Sequence, residues 1–194
     1  RSARLQQVHE KSALYFVVDN TLSGSVASMH ADVLSPLFER LIEEGHRVGV
    51  SIIDGGPGRN QLTVAPTTDH AEIDALLREA LGRSGLQSPI YLRVKQAVTS
   101  LSQGLSLGSH REVIVITDGA AEDAEGALNT QAATDALVDE IVRLSQQGGV
   151  PVSTLVINQR SGATVERADF TRLARLSAET GGVSAETGFS NADE

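Results

Sequence analysis

Short apolar runs alternate along the chain with longer segments in which apolar residues recur at helical spacing. The run Ala13–Val18 predicts a buried strand that ends at Asp19. Paired apolar positions then repeat every four residues and predict an amphipathic helix that ends at Gly45. The apolar face of this helix consists of Val33, Leu34, Leu37, Phe38, Leu41 and Ile42.

The next segments predict a hairpin followed by two helices. Strand Val48–Ile53 is joined by a short glycine-rich turn to strand Gln61–Ala65, and a link of this length indicates an antiparallel edge strand. Thr68 or Asp69 is the expected cap of one helix, and Pro89 is expected in the first turn of the other. Their apolar positions are Ile73, Leu76, Leu77 and Leu81, and then Val94, Ala97, Val98 and Leu101.

Two further strands and two further helices complete the pattern. Glu112–Thr117 predicts a strand that ends at Asp118, and the acidic stretch Ala120–Thr134 precedes a helix. Val150–Ile157 predicts the next strand, and a last helix ends before Gly181. The apolar positions of the two helices are Leu137, Val138, Ile141, Val142 and Leu144, and then Phe170, Leu173, Ala174 and Leu176.

This alternation predicts an α/β fold. We expect a three-layer, Rossmann-like arrangement with a mostly parallel central sheet, one antiparallel edge strand and helices on both faces. The expected organisation is a lead-in over residues 1–12, one domain over 13–187 and a tail over 188–194. Ligands of such sheets bind at the carboxyl ends of strands, where Asp19 and Asp118 are predicted to lie.

Composition removes several classes of function. The chain has 194 residues, a net charge of −9 and no cysteine, so disulfides and thiolate chemistry are excluded. A chain this acidic, with 3% aromatic residues, is a poor candidate for binding nucleic acid. The apolar runs are far shorter than the ~20 residues that span a bilayer, and no secretory signal is visible. We therefore expect no membrane span and a cytoplasmic, prokaryotic protein, with a secreted or cell-surface fragment as the alternative.

Oxygen-bearing side chains gather at three predicted loops. Asp19, Thr21 and Ser23 follow the first strand at alternate positions, Ser88 precedes a helix, and Asp118 ends another strand. Carboxylate and hydroxyl oxygens are ligands for hard cations. The pattern predicts a Mg²⁺ site, with Ca²⁺ or Mn²⁺ as alternatives. Taken singly, each aspartate at a strand end would more simply cap a helix or turn.

These residues resemble the metal-ion-dependent adhesion site of von Willebrand factor type A (integrin I-like) domains. That site has an Asp-x-Ser-x-Ser loop, a threonine in a second loop and an aspartate in a third. Asp19, Thr21 and Ser23 would fill the first loop, Ser88 would replace the threonine, and Asp118 matches a Thr-Asp-Gly strand end. An alternative register, with a two-residue insertion, makes Ser23 and Ser25 the hydroxyl ligands.

The resemblance implies adhesion rather than catalysis. The cation of this family commonly accepts an Asp or Glu carboxylate from a partner protein, and bacterial members work with an ATPase or another domain of the same system. A metal-free scaffold is the outcome if the site has decayed.

A second resemblance implies an enzyme. Asp19 also fits the nucleophile loop of haloacid dehalogenase-like phosphatases, with Asp118 to Asp123 as the Mg²⁺ loop and Lys95 as the phosphate-binding lysine. Soluble members of that group mostly carry a second aspartate two residues after the nucleophile, where this chain has Thr21.

Overall fold

The computed structural model describes residues 11–20, 30–53, 62–81, 88–104, 110–117, 131–158 and 167–188. Its strands are β1 (Ser12–Asp19), β2 (Arg47–Ile53), β3 (Leu62–Thr67), β4 (His110–Thr117), β5 (Val152–Asn158) and β6 (Ser184–Gly188). Its α-helices are α1 (Ser35–Glu43), α2 (His70–Leu81), α3 (Ile90–Gln103), α4 (Gln131–Gly148) and α5 (Arg167–Thr180). A single π-helical turn (His30–Leu34) leads into α1.

The strands form one six-stranded sheet in the order β3-β2-β1-β4-β5-β6. All neighbouring pairs are parallel except β2 and β3, so β3 is the antiparallel edge strand that the short turn predicted. The chain moves outward from β1 through β2 and β3, then crosses back to place β4 on the other side of β1. The predicted fold class is confirmed, and the order of strands reverses between β1 and β4.

Alternation along β1 divides the buried side chains between two cores. Ala13, Tyr15 and Val17 belong to the core that includes residues of α3, α4 and α5. Phe16 and Val18 belong to the core that includes residues of α1 and α2. Successive side chains of a strand point to opposite faces, so the run of apolar residues in β1 is what a strand buried on both sides requires.

The residues predicted to begin α2 and to end α1 are confirmed in the structure. Asp69 caps α2, because the Ala71 N–H donates to Asp69 Oδ1 at 3.0 Å. At the end of α1, the Gly45 N–H donates to Ile42 O at 2.9 Å and the His46 N–H donates to Leu41 O at 3.0 Å. Gly45 has φ +92°, so this is a Schellman ending that relies on glycine.

Several details differ from the expectations. Pro89 lies just before α3 rather than in its first turn, and α4 begins at Gln131, inside the stretch predicted to precede it. Val33, Leu37 and Ala174 were expected on buried helix faces, but all three are exposed. Helical spacing identifies the side of a helix that faces the core, but it does not set how deeply the margins of that side are covered.

The strand β6 was not predicted. Its residues, Ser184–Gly188, carry no apolar alternation, and its side chains from Ser184 to Glu186 are exposed. It pairs with β5 through the backbone, in a parallel register that aligns Thr154 with Ser184. An edge strand with so little burial leaves no hydrophobic signal in the sequence.

Candidate metal centre

Asp19 is the last residue of β1 and its side chain is completely buried. It has the same parity as Tyr15 and Val17, so alternation directs it to the face that carries α3. Val18 pairs with Ile116 of β4, which makes Thr117 the next neighbour of Asp19 across the strands. The Thr117 hydroxyl, also fully buried, donates to Asp19 Oδ2 at 3.0 Å.

Ser88 reaches the same carboxylate oxygen from a different part of the chain. It lies immediately before Pro89 and α3, and its carbonyl accepts the Ile90 N–H at 2.8 Å. Its buried hydroxyl donates to Asp19 Oδ2 at 2.6 Å. This distance is typical of an O–H donor bonded to a charged acceptor. Asp19, Ser88 and Thr117 are hereafter called the carboxylate cluster.

The carboxylate cluster lies where the order of strands reverses. β1 and β4 are parallel neighbours, and Asp19 and Thr117 are their last residues. Ligands of open α/β sheets bind in the crevice at this position, because the loops that leave the two strands separate toward opposite faces. The cluster therefore lies where the fold itself favours a ligand.

Of the predicted metal ligands, the structure brings Asp19 and Ser88 into direct contact across 69 positions of sequence. Thr21, Ser23, the alternative ligand Ser25, and Asp118 lie outside the described residues. Asp118 follows Thr117 directly in the chain. The ligand set as a whole stays a prediction, and the contact between its two described members agrees with it.

The oxygen atoms of the carboxylate cluster are of the kind that bind a hard cation. They are one carboxylate and two hydroxyl groups, and Mg²⁺ prefers oxygen ligands of this kind. In the part of the chain that the structure describes, no group of three or more His, Cys, Asp or Glu side chains could hold a metal. A buried carboxylate is unfavourable unless hydrogen bonds or a cation compensate for its lost hydration, and the two hydroxyl donors begin that compensation.

Sequence reasoning missed two contributors, Thr117 and Asn20. In the sequence Thr117 is only the first residue of a Thr-Asp-Gly strand end, yet in the structure it contacts Asp19 directly. Asn20 is buried, its N–H donates to Ile53 O at 3.0 Å, and its side-chain amide donates to Ala80 O at 3.0 Å. A polar residue adjacent to the predicted ligand was the only signal, and its partners lie too far away in sequence to be found from it.

Lys95, the phosphate-binding residue under the phosphatase resemblance, has a different contact in the structure. It lies in α3, and its Nζ is 2.8 Å from Glu140 Oε2 of α4. Both side chains are partly exposed, so this ion pair joins two helices at the surface. The contact gives Lys95 a structural role between α3 and α4.

No protein-family profile matches the chain, and no curated protein matches it. Solved structures do match. An aerotolerance-related membrane protein from Bacteroides fragilis, solved with multiple mutations to serines, has a TM-score of 0.53 at 18% identity, covering 93% of this chain and 94% of that one. The PilB minor pilin from Streptococcus sanguinis has a TM-score of 0.62 at 14% identity, covering 94% and 58%.

A third match is a structure of three N-terminal domains of the type V pili tip protein Mfa5 from Porphyromonas gingivalis. Its TM-score is 0.60 at 10% identity, covering 91% of this chain and 47% of that one. The chain thus spans about half the length of these two solved pilus-protein chains. At these identities the likeness shows the fold, which agrees with the α/β architecture implied by the resemblance to von Willebrand A domains. Among the described helices, none is both long enough and apolar enough to cross a bilayer.

Proposed function

We propose that this chain is a non-enzymatic, von Willebrand A-like domain that binds a protein partner through Mg²⁺ held at the carboxylate cluster. One observation carries the proposal: Asp19 Oδ2 accepts hydrogen bonds from both Ser88 and Thr117 at the ends of β1 and β4. These are two predicted ligand residues and the residue preceding a third, Asp118.

Each residue of the proposed site would have its own role in holding the cation. Asp19 would supply negative charge, and Ser88 could offer a hydroxyl lone pair to the cation while its O–H still donates to Asp19 Oδ2. Thr117 holds the carboxylate from the β4 side. Thr21, Ser23 and Asp118 complete the proposed ligand set. The bound Mg²⁺ supplies a Lewis-acidic position that an Asp or Glu carboxylate of the partner can fill.

The similar structures support a role in protein interaction. Two of them are a minor pilin and a pilus-tip protein, which are components of protein assemblies. The contact of Lys95 with Glu140 provides no support for phosphoryl transfer. The cytoplasmic location and the domain boundaries stay predictions.

Isothermal calorimetry with Mg²⁺ tests the proposal on the wild type, Asp19→Asn and Glu140→Gln. The wild type should give a saturable binding curve, and Asp19→Asn should lose it because an amide carries no charge for the cation. Glu140→Gln is the matched control, since it removes a carboxylate from the surface ion pair with Lys95 and should leave the affinity unchanged.

Two results would overturn the proposal. One is a folded wild type that shows neither Mg²⁺ heat nor a Mg²⁺-dependent rise in Tm. The other is Mg²⁺-dependent hydrolysis of p-nitrophenyl phosphate that Asp19→Asn abolishes, which would instead identify a phosphatase.

A further inference from the structure

Asn20, the residue that follows Asp19, forms hydrogen bonds with two other elements of the fold. Its backbone N–H donates to the carbonyl of Ile53, the last residue of β2. Its side-chain Nδ2 donates to the carbonyl of Ala80, one residue before the end of α2. Asn20 is 2% exposed, so both bonds are shielded from competing water.

The bond to Ala80 has a specific physical reason. The last four carbonyls of a helix have no partner within the helix, and Ala80 O is one of them in α2. A side-chain amide can donate to such a carbonyl, whereas a carboxylate cannot. The side chain of Asn20 thereby supplies a donor for one terminal carbonyl of α2, that of Ala80. Its backbone is held by the second bond, to Ile53 O.

Fixing Asn20 also fixes Asp19, because the two residues share a peptide bond and the orientation of that bond is set by the N–H of Asn20. The Asp19 side chain is held from the opposite direction by Ser88 and Thr117. The carboxylate is therefore restrained directly by Ser88 and Thr117, and indirectly by β2 and α2 through their bonds to Asn20. Preorganisation of this kind reduces the ordering that metal binding would otherwise require.

We propose that Asn20 is a positioning residue for Mg²⁺ binding, and that its amide bond to Ala80 O couples the end of α2 to the carboxylate cluster. The inference rests on the proposed function. It goes beyond it by naming a residue outside the ligand set and a helix end whose contact responds to the cation. Loss of partners that orient metal ligands typically weakens metal affinity by 10- to 100-fold.

The test compares Asn20→Ala with Ser145→Ala by Mg²⁺ calorimetry and urea unfolding. Ser145 is the matched control: it is equally buried, and its hydroxyl donates to Val150 O, which lies between α4 and the first residue of β5. Asn20→Ala should weaken the Mg²⁺ affinity about tenfold. Ser145→Ala should change that affinity less than twofold, even though both variants lose stability.

Asn20→Asp provides a second variant in which charge and position act in opposite directions. The added negative charge alone would raise the Mg²⁺ affinity, whereas the lost donor to Ala80 O should lower it. We expect a lower affinity than that of the wild type. Native-state hydrogen exchange tests the wild type without a substitution. Mg²⁺ should slow exchange of the backbone amide of Asn20.

The outcomes separate the two proposals. A wild type that binds no Mg²⁺ overturns the proposed function and this inference together. A wild type that binds Mg²⁺ overturns this inference alone if Asn20→Ala keeps the wild-type affinity, if Asn20→Asp raises it, or if Mg²⁺ leaves the exchange rate of the Asn20 amide unchanged.

Discussion

Asp19 occupies a position at which a charged group is unusual, since the strand that carries it is buried on both faces. Its hydroxyl partners come from β4 and from the segment before α3, so the side chain is surrounded by three separate parts of the chain. A purely structural role would be filled more simply by an apolar residue of the same size. Retaining a carboxylate here is consistent with a ligand for a cation.

Tyr15 is the second titratable residue of β1 with a distinctive environment. Burial raises the pKa of its phenol to about 12, although the positive charge of Arg93 lowers it. Between pH 10 and 12 the unfolded chain releases this proton and the folded chain keeps it. The folded state then holds more protons, so stability is full below pH 10 and falls as the pH rises.

Tyr15→Phe should remove that dependence. Between about pH 9 and pH 11, the wild type should lose about 1 kcal/mol more unfolding free energy than Tyr15→Phe, measured by urea denaturation. Tyr91 is present in both proteins and its contribution cancels. Parallel pH profiles for the two proteins would show that the Tyr15 hydroxyl is not buried in solution.

Helix ends show how local signals fix the boundaries of elements. Asp69 and Gly45 were identified from residue type alone, and both act as predicted because capping depends on neighbours within a few positions. The exposure of Val33 and Leu37 could not be predicted, because it depends on where α1 lies over the sheet. The edge strand β6 could not be predicted either, since its pairing with β5 uses backbone groups that every sequence has.

Gly45→Ala tests the ending of α1. An added Cβ would meet only Lys11 Cε at 3.7 Å, so the penalty comes from the backbone and not from a clash. At φ +92° the substitution should cost about 1 kcal/mol, measured as a shift in the urea midpoint. Gly45→Asn should cost less, because asparagine tolerates a positive φ. Equal stability of Gly45→Ala and the wild type would contradict the Schellman ending.

The whole sheet brings together groups that the sequence leaves separate. The fold class follows from the alternation of apolar runs and helical patterns. The same alternation predicts Asp19 and Asp118 at strand ends, and the structure describes Asp19 there. The pairing of β1 with β4 is what makes Thr117 the neighbour of Asp19, and pairing between distant strands depends on the entire topology. The same holds for Asn20 and Ala80, which are 60 positions apart.

The strand order also explains why the candidate centre is formed by several elements. The helices that follow β1 and β4, α1 and α4, pack on opposite faces of the sheet. Ser88, just before α3, contacts Asp19 at the end of β1. A cation at this point would contact residues supplied by three loops. Its binding would therefore stabilise the folded state, because the unfolded chain cannot assemble such a site.

Anomalous diffraction from crystals grown with Mn²⁺, a cation that can replace Mg²⁺ at oxygen sites, tests the metal centre most directly. We expect a single strong peak at the carboxylate cluster, beside Ser88 Oγ, and its loss in Asp19→Asn crystals. Wild-type crystals with an ordered Asp19, Ser88 and Thr117 but no peak beside them would contradict the proposed Mg²⁺ site.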